Sequence, residues 1–156
     1  MITDFYLGNG TDSDGKSIHD YLNNDNLDGS RAYVPWVFPS TESSSAYPDV
    51  PLLNQEVVES IKNNTQFIEM VKKVVNHYLK FLSVYTGWLN SANHHHHRIT
   101  RMIKFLSLIE LKEEAVKVSE WCCSHSGASK KIKNDWMQSA SFVPSWNIDY
   151  SNKKDS

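Results

Sequence analysis

The sequence has only two cysteines in 156 residues, Cys122 and Cys123, and they are adjacent. Neighbouring cysteines cannot staple distant loops, so a disulfide framework is excluded and a reducing compartment is expected. No run approaches the ~18 consecutive apolar residues a membrane-crossing helix needs. The opening MITDFYLGNG lacks a basic stretch and carries Asp4, Gly8 and Gly10, so no secretory signal is expected there. The expected location is therefore the cytoplasm, with nuclear association if the cell is eukaryotic. Motifs are missing too: there is no GxSxG, no phosphate-binding P-loop, no GxGxxG and no HExxH. Those absences argue against the commonest nucleophilic, nucleotide and metalloprotease chemistries, and a non-enzymatic protein is the expectation.

What is present describes a globular chain, with 40% hydrophobic and 22% charged residues. A length of 156 residues suits one domain. The formal charge of −2 conceals a polarity along the chain. Residues 1–60 carry ten acids against Lys16 and Arg31, and the remainder carries 14 bases against eight acids. Opposite halves attract, so one reading folds the acidic half back onto the basic half. The other leaves a basic surface free for a partner.

Periodicity predicts helices and almost no strands. Residues 13–23 place Ile18, Tyr21 and Leu22 at helical spacing, with Ser13 or Asp14 as cap. Residues 31–51 hold four of the five prolines and the cluster YVPWVFP, read as an extended or tightly turned clamp whose Tyr33, Trp36 and Phe38 require burial. The run Ser43 to Ser45 reads as an exposed loop. Asn54 caps a helix to about Asn63, with Leu53 and Val58 placed as a hydrophobic staple. The longest helix follows from Thr65, stopped by Gly87. A helix over 93–110 carries Ile99, Met102, Ile103, Leu106 and Ile109 on one stripe and His94, His97, Arg98, Arg101 and Lys104 on the other. Two more, over 112–124 and 130–140, are separated by a break at Gly127. The domain spans 1–141, and 142–156 is an extended tail with Trp146 docked. The fold class is all-α, compact, with about six helices and the Pro/aromatic segment packed against those beginning at Thr65 and Asn93.

The run His94 to His97 invites a metal reading. On a helix, however, only His94 and His97 share a face, and zinc needs three or four converging ligands. Cys122, Cys123 and His125 match no zinc module, so no metal site and no cofactor are expected. The start of the same helix offers free N–H groups and positive partial charge, with Arg98 and Arg101 one turn on, which suits a phosphate or carboxylate. The competing reading pairs both arginines with the acidic half. Phosphate contacts from Lys72, Lys73, Lys80, Arg98, Arg101 and Lys104 would be needed for nucleic-acid binding, which the acidic half disfavours. Cys122 and Cys123 read as packing residues.

Several segments together carry a resemblance: ITDFYLG, DGKSIHDYL, YVPWVFP, PDVPLLNQEVVESI and HHHHRITRMIKFLSLIEL. In order and spacing they resemble the conserved domain of the opioid growth factor receptor family, over residues 2–136. Trp36, Phe38 and Pro39 match that family's clamp, and His94, Arg98, Ile99, Thr100 and Arg101 match its basic helix. His95 stands where the family often has Asn, Val34 and Pro35 replace Ile-Gln, and Ile109-Glu110 replaces Leu-Gly. The resemblance implies a single all-α domain far more firmly than a ligand. The resulting expectation is a binding module for a protein or peptide partner, with no membrane role. Its expected contact residues are Trp36, His94, His97, Arg98, Arg101 and Lys104, lining a cleft between the aromatic clamp and the basic helix. Nucleic-acid or phosphate-ligand binding through that helix is the alternative, and a hydrolase or transferase comes last.

Overall fold

The computed structural model describes residues 2–28, 34–42, 50–144 and 146. Within them, short polar side chains decide where helices begin. Ser17 accepts the Asp20 N–H while the Asp20 carboxylate accepts the Ser17 N–H at 2.8 Å, a reciprocal cap. Asn54 and Asn64 accept the N–H groups of Val57 and Phe67 at 2.9 and 3.1 Å. Ser129 does the same for Ile132 at 3.3 Å. Each satisfies a backbone donor that the first helical turn leaves without an internal partner.

Eight α-helices and one 3-10 turn result among the described residues: α1 Ile2–Tyr6, α2 Ile18–Leu22, α3 Val34–Val37, α4 Gln55–Lys62, α5 Thr65–Val84, the 3-10 turn Gly87–Leu89, α6 His95–Leu108, α7 Lys112–His125 and α8 Lys130–Ser139. No strand occurs among those residues, and the all-α class stands. Among the described residues no helix is long and apolar enough to cross a membrane. The six helices read from periodicity are present; α1 and α3 are additions. Helix α2 is capped by Ser17, so Ser13 and Asp14 are not its caps.

Two expectations are resolved. The proline-bounded segment, expected to be extended or tightly turned, is turned, with one helical turn over Val34–Val37. Pro35 lies in the first turn, where its missing N–H would have had no partner, and the Phe38 N–H closes the turn on the Val34 carbonyl at 2.8 Å. The longest helix ends at Val84, with Tyr85 extended, rather than at Gly87. The stop comes from Trp88, whose indole N–H turns back to donate to the Leu82 carbonyl at 2.7 Å. Tyr33, the 43–45 loop and the tail beyond Trp146 lie outside the described residues.

Packing follows the apolar stripes. Helices α6, α7 and α8 pack on one another, while α1, α2 and α4 pack on α5 and α1 also meets α3. Tyr6 stacks on Phe67 at 4.4 Å, and Phe38 meets the edge of Tyr78 at 5.8 Å. Trp36 and Phe38 are buried, each contributing roughly 2–3 kcal/mol by area removed from water. Phe142 and Trp146 pack half-buried against this core. The acidic N-terminal portion is thus folded onto α5 and α6.

Candidate functional site

The start of α6 is where the two halves of the chain meet. Asn93 prepares it: its side-chain oxygen accepts the His95 N–H at 2.9 Å and its carbonyl the His96 N–H at 3.0 Å. The four histidines then take four different environments. His96 is buried and bonds the Trp88 carbonyl at 2.8 Å, the same oxygen that accepts from the Ser126 hydroxyl at 2.7 Å. His97 faces solvent. His94, about half exposed, and His95, fully buried, both direct Nε2 at one oxygen of Asp28, at 2.8 and 2.9 Å.

His95 is the hub of this corner. Its Nδ1 is 2.5 Å from the Tyr78 hydroxyl, and its ring lies among Tyr78, Phe81 and Tyr85. Burial pulls its pKa down to about 4, against the opposing pull of Asp28, so the ring is neutral near pH 7. Asp28 is held below the usual carboxylate range, first by its bond to His95. The carboxylate anticipated at this helix N-terminus is therefore one of the chain's own. Neither Asp28 nor His95 stood among the expected contact residues. His95 was readable only as part of the histidine run, and Asp28 only as one acid among ten.

One turn further on, the arginines point inward. Arg98 is buried and donates to the Leu27 carbonyl at 3.3 Å. The Arg101 Nε–H donates to the Phe38 carbonyl at 2.5 Å, and burial lowers its pKa from the ordinary guanidinium value. Trp36 is 8% exposed, with its indole N–H directed at the Ser13 hydroxyl at 3.3 Å. Clamp and basic helix meet along a seam in which one donor of each guanidinium bonds a backbone carbonyl of the N-terminal half, and the opening between Pro39 and Glu42 on one side and Arg101 and Lys104 on the other is only about 40 Å³. His97 and Lys104 remain on the solvent side. Lys104 lies over the Phe142 ring at 5.4 Å, beside a polar depression bordered by Thr100, Asp135 and Gln138.

A different concavity is aromatic and basic. Between α5 and α7, over Leu106 of α6, a groove of about 400 Å³ is lined by Lys72, Val75, Asn76, Leu79, Glu114, Lys117, Val118 and Trp121. Its floor is apolar. Trp121 is held there by stacking on buried Trp88 at 5.3 Å, with rings 18° apart. At the rim Lys72 stands 3.7 Å from Glu114, a solvent-exposed pair of little strength, and Lys117 is exposed. Sequence reading passed over this groove because its residues come from three helices. Each looks like ordinary amphipathic patterning on its own.

The thiols are placed for packing. Cys122 is fully buried and Cys123 half-buried, with its Sγ 3.6 Å from the Lys133 carbonyl. Burial pushes both thiols up, Cys122 far more than Cys123. Every buried side-chain nitrogen and oxygen among the described residues has a hydrogen-bond partner.

No family model, curated protein or solved structure matches the chain.

Proposed function

We propose that this chain is a non-enzymatic binding module for a protein or peptide partner, and that the partner docks in the α5–α7 groove. The resemblance of its clamp and basic-helix motifs to the opioid growth factor receptor conserved domain is part of the same reading. The observation that carries it is the groove itself: an apolar floor held rigid by the Trp88–Trp121 stack, bordered by Lys72 and Lys117. Rigid aromatic surface flanked by cations suits a short amphipathic segment that offers large apolar side chains and a carboxylate.

The test is selection of a random peptide library on the full chain, against a Leu79→Glu/Lys117→Glu variant. Expected is enrichment of peptides with bulky apolar residues next to Asp or Glu, lost in the variant at unchanged melting temperature. Enrichment indifferent to the double substitution, or none at all, overturns the reading.

A further inference from the structure

The corner at Asp28 has a geometry that hydrogen bonding alone does not require. Two imidazole Nε2 atoms, from adjacent residues 94 and 95, converge on a single carboxylate oxygen brought from 66 residues away. The three donor atoms lie within 4.8 Å of one another. We propose that Asp28, His94 and His95 bind a divalent transition-metal ion of the zinc type, which replaces the Nε2 protons between the rings and the carboxylate.

Donor chemistry supports the assignment. Two imidazole nitrogens and one carboxylate oxygen form a mixed nitrogen and oxygen set that suits borderline ions such as Zn²⁺ and disfavours Mg²⁺. Tetrahedral bonds of about 2.0 Å put neighbouring ligand atoms about 3.3 Å apart. The present 2.8 and 2.9 Å separations must therefore widen slightly. His94 and Asp28, whose side chains are 51% and 38% exposed, can supply that movement and give the ion access. Buried His95 provides the fixed point.

Tyr78 completes the argument. A metal-bound histidine commonly has its second ring nitrogen held by a hydrogen bond that sets ring orientation and tautomer. The Tyr78 hydroxyl stands 2.5 Å from His95 Nδ1. A phenol both donates and accepts. It can donate to Nδ1 while Nε2 carries the proton, and accept from Nδ1–H when the Nε2 lone pair turns to a metal. The ring proton moves between nitrogens, and no charged group is left buried. Three protein ligands leave a fourth position open toward solvent, the arrangement of a site that takes water or an incoming ligand. Arg98, bonded to the carbonyl of Leu27, opposes the ion with its positive charge. Affinity should accordingly fall below that of a closed four-ligand site.

The full chain, stripped with chelator, is titrated with Co²⁺ followed by visible absorption, then with Zn²⁺ as competitor. One equivalent is expected to bind with the intense bands of four-coordinate cobalt, and Zn²⁺ to displace it. Asp28→Asn and His94→Gln should each weaken binding at least about tenfold, the loss that removal of even an outer partner produces. His97→Gln should leave it unchanged. Zn²⁺ should raise the melting temperature of the unmodified chain but not of Asp28→Asn. Binding of several equivalents that His97→Gln reduces as much as His94→Gln, binding indifferent to Asp28→Asn, or no binding overturns the site. Because none of these residues lines the α5–α7 groove, either outcome is independent of the peptide experiment.

Discussion

Arg101 and Phe38, 63 positions apart, are joined by a guanidinium-to-carbonyl hydrogen bond of 2.5 Å. Phe38 follows α3 and its side chain is fully buried. Arg101→Met keeps the aliphatic stem and removes the donor. The carbonyl then sits in the seam without a partner, which costs about 1–3 kcal/mol. Thermal melts should fall by roughly 3 °C per kcal/mol for a chain of this size, while peptide selection on the α5–α7 groove stays as before. Loss of selection with unchanged stability would show that the arginine serves a ligand instead.

Gly127 is required by a close approach. Its N–H donates to the Leu89 carbonyl at 2.8 Å, and a Cβ at this position would lie 2.5 Å from that same oxygen. The clash is with backbone and cannot be relieved by turning a side chain. Gly127→Ala should therefore destabilise by about 1–3 kcal/mol, read from urea midpoints. The contrast is Gly15, whose Cβ position is empty but whose φ is +76°; Gly15→Ala costs only the left-handed strain of about 1–2 kcal/mol.

Much of this fold was legible because its signals are local. Asn54, Leu53 and Val58 fix a helix start within six residues, and the apolar steps of α5 and α6 select their buried faces with no distant information. Pro35 left two forms open because proline is equally at home in an extended segment and in a helical first turn; local sequence does not separate the two. The acidic and basic halves do meet, yet Arg98 and Arg101 reach carbonyls, which every residue possesses and no pattern marks. The Asp28 corner was least legible. It depends on a loop residue arriving 67 positions from His95, and on His94 sitting at the cap rather than inside the helix.

The thiols offer a solvent-access test. Burial raises both pKa values, so the thiolate fraction at pH 8 lies below that of a free cysteine. In a disulfide-exchange assay on the native chain, Cys123 should react more slowly than free cysteine. Cys122 should react only when the protein is unfolded. Two equivalents released rapidly without denaturant would contradict the packing of α7 against α8.

Glu110 joins α6 to α7 with φ +63°, the one non-glycine residue in the left-handed region among the described residues. Glycine adopts that conformation without steric cost. Glu110 has a compensation: its carboxylate lies 3.2 Å from Lys62, which also pairs with Glu59 at 3.0 Å. Glu110 is largely exposed, so that pair contributes about 0.2–1 kcal/mol. Two substitutions separate the terms. Glu110→Gln removes the charge and keeps the strain, and should lower stability by less than about 1 kcal/mol. Glu110→Gly removes both, and should be more stable than Glu110→Gln by about 1 kcal/mol, or roughly 3 °C in melting temperature. Equal melting temperatures for the two variants would mean that the turn relaxes its φ in solution. A glycine variant less stable than the glutamine one would mean that the unfolded chain's added freedom outweighs the relieved strain.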